Sequence, residues 1–245
     1  MTKAIVLTTQ RSGSTFLVES LKSHPEVFCR GEMLAGGHVW IPGPVYKSRL
    51  ATKAYRYLTS GAVFPTWMMD RYFARTDRPV MAFKAMYNQI RPPWTRSYLR
   101  EHTEIRILHL RRHNLLKQYV SHQLIHVKRD EHWDPHTTEP VKPASIVISA
   151  DAALTYLRRL RAEYDMHERM FERHPLLHLS YESMIDGNTL AAGVARDICH
   201  FLGITNRPMR SSLIKMNPER LDEMITNYDE VARAIGQTEF ADLLD

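Results

Sequence analysis

The sequence predicts an α/β fold in three layers: a mostly parallel sheet flanked by helices, with a P-loop-like phosphate-binding strand, loop and helix at its start. Three observations carry this. Short apolar, β-rich runs recur at 4–8 (AIVLT), 79–84 (PVMAFK), 105–110 (IRILHL) and 176–180 (LLHLS). Segments with helical apolar spacing lie between them. The first run leads directly into a polar, glycine-containing loop that opens a helix. Strands alternating with helices imply βαβ units and a parallel sheet.

The elements follow in order. Residues 4–8 read as a buried parallel strand. Residues 14–23 read as a helix with Phe16, Leu17 and Leu21 on its apolar side, stopped by His24-Pro25. The mixed aromatic and charged stretch at 50–78 reads as helical. Residues 115–127 carry Leu116, Val120, Leu124 and Val127 on one helical face. Residues 128–150 change character, with proline breaks, charges and Trp133, and predict a mobile loop or lid. Asp151 is a candidate cap for a helix running to about His174, with Ala153, Leu157, Leu160, Tyr164 and Phe171 inward. Leu190, Val194, Ile198 and Leu202 define another helix, with Gly203 at its C-cap. The last helical stretch is expected from Pro218, a suitable first-turn residue. A length of 245 residues suits a single domain, 1–245, with a helical insert at 40–75 and the loop at 128–150.

Composition narrows the function. Lys and Arg exceed Asp and Glu by 33 − 27 = 6, which favours an anionic ligand without choosing among nucleotide, nucleic acid and acidic sugar. The two cysteines, Cys29 and Cys199, do not suggest a disulfide-built fold. The apolar run at 4–7 is too short for a signal-peptide core, and no segment approaches the length of a membrane span. The expectation is a soluble, cytoplasmic protein.

Two constellations carry chemistry. In Gln10-Arg11-Ser12-Gly13-Ser14-Thr15, Gly13 permits a tight turn and the N–H groups of residues 12–15 would face a ligand at a helix start. Ser14 and Thr15 add hydroxyls, and Arg11 adds a charged fork. The ATP-binding pattern G-x-x-x-x-G-K-[ST] is absent, because Gly13 stands where its lysine would be. In the second constellation, the strand ending at Leu110-Arg111-Arg112 enters a helix that carries Ser121. An arginine at a strand end and a serine two turns along can converge on one phosphate. Arg112 is preferred over Arg111 for that contact.

Residues 10–27 (QRSGSTFLVESLKSHPEV) resemble the 5'-phosphosulfate loop of sulfotransferases dependent on 3'-phosphoadenosine 5'-phosphosulfate (PAPS). The continuation to Gly31-Glu32 is similar to carbohydrate and tyrosylprotein sulfotransferases, and the pattern is nearest to the bacterial trehalose sulfotransferase-like group. The Arg112–Ser121 segment resembles the family's 3'-phosphate motif. Its spacing here is nine, one longer than the usual pattern, which places an extra residue at His113-Asn114. Residues 181–186 (YESMID) and the helix ending Phe201-Leu202-Gly203 resemble further family segments and act as fold markers. The segment from Lys215 to Glu230 resembles one that closes over the nucleotide, which would bring Lys215 and Arg220 near the 3'-phosphate.

The resemblance implies sulfuryl transfer from PAPS, leaving 3'-phosphoadenosine 5'-phosphate (PAP), to a hydroxyl acceptor, with carbohydrate or glycolipid favoured. It implies Lys84 at the sulfuryl group and Glu32 as general base. His38, after Gly36-Gly37, is the rival base. By analogy with phosphoryl transfer, such a reaction needs positioning and electrostatics and requires no metal; no nucleic acid partner and no membrane span are expected, and a homodimer is left open. His132 and His136 are four apart, but Pro135 argues against a shared helix face for zinc. A nucleotide kinase would need a Walker lysine and a Mg²⁺ carboxylate at a strand end. An RNA-binding protein would need a clustered basic face or a recognisable RNA-binding motif, and the basic residues are dispersed.

Overall fold

The computed structural model describes residues 1–34, 66–75, 78–128, 145–213 and 220–244. Five strands form one parallel sheet: β1 (Thr2–Thr8), β2 (Val27–Glu32), β3 (Val80–Met86), β4 (Arg106–Arg111) and β5 (Leu176–Ser180), in the spatial order β2-β3-β1-β4-β5. The α/β class and the mostly parallel, helix-flanked sheet expected from the sequence are what the chain forms.

Two packed layers cover the sheet. On one face, Ala4, Val6, Val80, Ala82 and Leu108 meet α1 (Ser14–Lys22) and α7 (Ala192–Leu202) through Leu17, Leu21, Ile198 and Leu202. On the other, Ile5, Leu7, Met81, Phe83 and Ile107 meet α4 (Leu115–Lys128) and α5 (Ala150–Met170) through Leu116, Val120, Leu157 and Leu160. Alternate strand residues thus feed opposite faces, as the pleat requires. Each large aliphatic removed from water here is worth roughly 1.5–3 kcal/mol.

Some elements differ from expectation. Residues 27–32 form β2, which escapes the periodicity test because Arg30, Gly31 and Glu32 interrupt its apolar run. Residues Pro93–Glu101 form α3, where Pro93 serves as a first-turn residue. Of the expected helical insert, Thr66–Phe73 forms α2, and residues 35–65 lie outside the described residues. Ser149, not Asp151, caps α5, accepting a hydrogen bond from the Ala152 N–H. The last helix, α8 (Tyr228–Ile235), starts well after Pro218. Residues 221–227, just before it, form turns instead, tied down where Ile146 bridges Ile225 and where Asn227 donates to the Ile148 carbonyl and accepts from its N–H.

A single turn, α6 (Tyr181–Met184), follows β5 directly, and the short β6 (Ile185–Asp186) and β7 (Thr189–Leu190) make a hairpin before α7. Cys29 and Cys199 are both free and buried, and burial pushes the Cys29 thiol up to about 12. No described helix is long and apolar enough to cross a membrane. Most of the expected lid at 128–150, with His132, Trp133 and His136, lies outside the described residues, as do His38 and Lys215.

The topology places a crevice. β1 and β4 are neighbours, yet β1 continues into α1 on one face and β4 into α4 on the other. Such a switch point, at the carboxyl ends of parallel strands, is where open α/β sheets receive ligands. The Thr8 hydroxyl donates to the Leu110 carbonyl at 3.0 Å and locks the two strand ends together.

Candidate functional site

The loop after β1 is built to expose backbone donors. Arg11 (φ 61°) and Gly13 (φ 81°) both take the left-handed conformation, on either side of Ser12. For arginine that conformation costs about 1–3 kcal/mol, and such strain concentrates at ligand sites. No side chain caps α1, so its first-turn N–H groups are left for another acceptor. The Ser12 hydroxyl turns inward, donating to the Thr9 carbonyl at 2.8 Å and lying against the Thr8 hydroxyl. Ser12 therefore offers the crevice its N–H rather than its side chain. Ser14 is buried and Thr15 half-buried at the head of α1.

The loop after β4 meets the first across the crevice. The Arg11 Nε–H donates to the Ser121 hydroxyl at 3.1 Å, and an Arg112 N–H lies 3.5 Å from the Arg11 carbonyl. Ser121 lies about two turns into α4, against the loop after β1, so residues from both constellations share one space. α4 is laced to this loop elsewhere too. The Gln118 amide donates to the Gln10 carbonyl at 2.6 Å and accepts from the Tyr164 hydroxyl at 3.0 Å. The Tyr164 hydroxyl in turn accepts from the Arg112 backbone N–H at 3.3 Å.

The adjacent arginines part company. Arg111 is paired: its guanidinium reaches a Glu168 carboxylate oxygen at 2.6 Å and lies over the Tyr164 ring. Arg112 is buried, its Nε finds no hydrogen-bond partner, and its guanidinium lies 4.6 Å from the centre of the Tyr181 ring. Neither Arg11 nor Arg112 forms an ion pair among the described residues. Burial holds both guanidinium groups below their ordinary values, and for Arg11 the neighbouring Arg112 charge lowers it further. The Glu182 charge acts on Arg112 in the opposite direction, but no carboxylate among the described residues is in ion-pair contact with either arginine, and two desolvated cations side by side favour an anion between them.

A second corner contains Glu32 and Lys84. Every residue of β3 is buried, and Lys84 is its one charged side chain. Glu32 ends β2, and there the register shifts: Arg30 pairs with Phe83, but Glu32, not Gly31, pairs with Lys84. Gly31 is the extra residue of a β-bulge, a device that re-aims a side chain at a strand end. The result is a Lys84–Glu32 ion pair at 3.1 Å. The other Glu32 oxygen accepts from the Gln89 amide at 2.7 Å, and Gln89 is itself held by the Met86 N–H at 3.0 Å. Glu32 is thus placed by a strand and a bulge, not by the simple turn after α1 that its position in the sequence suggests.

The sequence model of the sulfotransferase family matches residues 4–208. The chain belongs to the sulfotransferase family. Its fold agrees with the crystal structure of a sulfotransferase from Alicyclobacillus acidocaldarius (TM-score 0.53, 15% identity, covering 100% of this chain and 96% of that one). A second similar structure is the sulfotransferase domain of the Synechococcus PCC 7002 olefin synthase (TM-score 0.44, 19% identity, 83% of this chain and 74% of that one). No curated protein matches the chain.

Within this sulfotransferase, then, the described candidate residues collect in two places. Arg11, Ser12, Gly13, Ser14, Thr15, Arg112 and Ser121 surround the β1–β4 crevice, while Glu32 and Lys84 form the corner beside it on β2 and β3. Arg220 is exposed and paired with Asp222. Sequence reading missed Gln89, Gln118 and Tyr164, whose roles come from long-range contacts that leave no local pattern. It placed Tyr181 and Glu182 only as fold markers. Among the described residues no group of three or more His, Cys, Asp or Glu is arranged to hold a metal ion.

Proposed function

We propose that this chain transfers a sulfuryl group from PAPS to a hydroxyl of a carbohydrate or glycolipid. The observation that carries the reading is the Arg11–Arg112 pair: two desolvated guanidiniums with no ion-pair partner among the described residues, at the head of an uncapped helix. A nucleotide with phosphate groups at both its 5' and 3' positions supplies an anion for each turn. The N–H groups of residues 12–15, the hydroxyls of Ser14 and Thr15, and Arg11 would hold the 5'-phosphosulfate. Arg112 and Ser121 would hold the 3'-phosphate, with Lys215 a further candidate from outside the described residues.

The chemistry follows from charge. The acceptor oxygen forms a bond to sulfur while the bond from sulfur to the 5'-phosphate oxygen breaks, and the electron pair leaves with PAP. Lys84 and Arg11 stabilise the oxygens that gain charge. Glu32 takes the acceptor proton, because an alcohol is a poor nucleophile until that proton is leaving. Its pairing with Lys84 holds both groups at one corner before substrates arrive. The lysine then exchanges its carboxylate partner for the sulfuryl oxygens, freeing a Glu32 oxygen for the acceptor hydroxyl.

Thermal-shift measurement with PAP, with ATP plus Mg²⁺, and with a short RNA tests the donor. Stabilisation by PAP without metal is expected, since a ligand that binds only the folded chain raises its stability. Stabilisation by ATP–Mg²⁺ or RNA with none by PAP would overturn the reading. Incubation with radiolabelled PAPS and a panel of sugars, glycolipids, phenols and tyrosine peptides then identifies the acceptor. Label in the sugar or glycolipid fraction is expected.

A further inference from the structure

The segment that follows β5 touches both anion-binding turns, and nothing in the chemistry above uses it. A Cβ placed on Gly13 would stand 2.3 Å from Tyr181 Cδ2 and 2.7 Å from Cε2, so the edge of the Tyr181 ring lies directly on the glycine. Met184, fully buried on the same turn, backs this contact. The Arg112 guanidinium lies over the same ring at 4.6 Å. One aromatic side chain therefore packs against both turns.

Glu182 acts on the next two residues. Its carboxylate oxygens accept from the His113 N–H at 3.0 Å and the Asn114 N–H at 3.1 Å. These are the residues of the lengthened turn between Arg112 and α4, whose N–H groups precede the helix and lack carbonyl partners within it. The Ser180 hydroxyl donates to the same carboxylate at 2.8 Å. Burial works to raise Glu182, but the donors from His113, Asn114 and Ser180 prevail and its carboxyl is held below the ordinary value.

We infer that Tyr181 and Glu182 are positioning residues that fix the distance and angle between the two phosphate-binding turns, the ring as a spacer under Arg112 and the carboxylate as the anchor of the turn that carries it. The inference rests on the donor site proposed above. Arg112 has few other restraints: its Nε is without a partner and its nearest side-chain hydrogen bond is long, at 3.5 Å. Without the ring face, the guanidinium loses the surface that holds it over the crevice. Without the Glu182 carboxylate, two adjacent N–H groups lose their acceptor and the turn is released.

The consequence is specific. Losing the spacer should affect a ligand that engages both turns far more than one that engages only the first. PAP carries the 3'-phosphate and adenosine 5'-phosphosulfate does not, so the ratio of their affinities reads the geometry between the turns, independent of overall stability. Titration calorimetry of the full chain with each ligand, beside a melting curve for every variant, is the experiment. Tyr181→Phe keeps the ring and should hold the ratio within about twofold of the original. Tyr181→Leu and the more pliable Tyr181→Met should lower it by about threefold to thirtyfold. Glu182→Gln keeps one acceptor oxygen and should lower it by about threefold to tenfold.

A folded Tyr181→Leu or Tyr181→Met chain with the original ratio overturns the inference while leaving the donor site standing. So does a Tyr181→Phe chain that loses as much as Tyr181→Leu, because the hydroxyl and not the ring would then matter. Failure of the unaltered chain to prefer PAP over adenosine 5'-phosphosulfate overturns the donor site itself, and the inference with it.

Discussion

Two corners of the same sheet edge treat positive charge in opposite ways. At the β2–β3 corner a lysine is buried in the middle of an apolar strand, and a β-bulge brings Glu32 against it. At the β1–β4 crevice two arginines are desolvated with no carboxylate paired to either among the described residues. The contrast sharpens within a single dipeptide, since Arg111 is paired with Glu168 and Arg112 is not. A balanced cation is complete as it stands and is poised to change partners. On the function proposed above, the unpaired arginines await an anionic ligand and form the binding site, while the Lys84–Glu32 corner is the reaction centre.

The largest expected effect separates these corners. Glu32→Gln keeps the size and one acceptor oxygen but cannot take a proton, so turnover should fall by about 10²–10⁴. PAP affinity by calorimetry should stay close to the original, because Glu32 belongs to the balanced corner. His38→Asn should be much milder in the same assay. Near-normal turnover in Glu32→Gln with loss in His38→Asn would move the base to His38.

The adjacent arginines give the next effect. Arg112→Ala should weaken PAP by about 1.5–3 kcal/mol, the worth of a charged hydrogen bond, and weaken adenosine 5'-phosphosulfate much less. Arg111→Ala should leave both affinities nearly unchanged and cost a little stability through Glu168. Equal weakening of both ligands by Arg112→Ala would remove its assignment to the 3'-phosphate.

The paired side also carries a pH signature. His109 is fully buried, hydrogen-bonds with the Tyr87 hydroxyl at 2.6 Å, and is held at about 3, chiefly by burial and further by Arg111. The unfolded chain binds a proton at this residue near 6.5 that the folded chain does not. Its contribution to stability is therefore complete above about 6.5 and is lost as pH falls toward 3, by at most about 1.4 kcal/mol per pH unit. His109→Gln should flatten this limb in urea titrations run at stepped pH. An unchanged limb would show that other groups set it.

The smallest effect tests how Glu32 is held. Gln89→Leu removes one of its two anchors and leaves Lys84 in place, so turnover should fall only about threefold to tenfold, with PAP affinity unaltered. A loss as large as that of Glu32→Gln would make the amide part of the reaction centre rather than its support.

These outcomes bear on what a sequence alone discloses. The phosphate loop was legible because strand, glycine and helix start are contiguous, and local pattern is enough to see them. The strand end and helix that carry Arg112 and Ser121 were legible for the same reason. The anchoring of the turn between them was not, because the carboxylate of Glu182 arrives from 68 and 69 positions away. β2 was hidden by the same bulge that makes it useful: Arg30-Gly31-Glu32 breaks the apolar run in order to place Glu32 beside Lys84. The preference for Arg112 over Arg111 acquires its physical reason only from the Glu168 carboxylate on α5. Contiguous chemistry shows in the chain, whereas pairing across the fold does not.

The central claim is that the unbalanced arginines at the β1–β4 crevice are the donor site, and a crystal structure with PAP bound tests it most directly. The account predicts the 5'-phosphate against the N–H groups of residues 12–15 and the 3'-phosphate against Arg112 and Ser121, with Arg111 still paired to Glu168. PAP bound elsewhere, or bound in the crevice with its 3'-phosphate remote from Arg112, would contradict it.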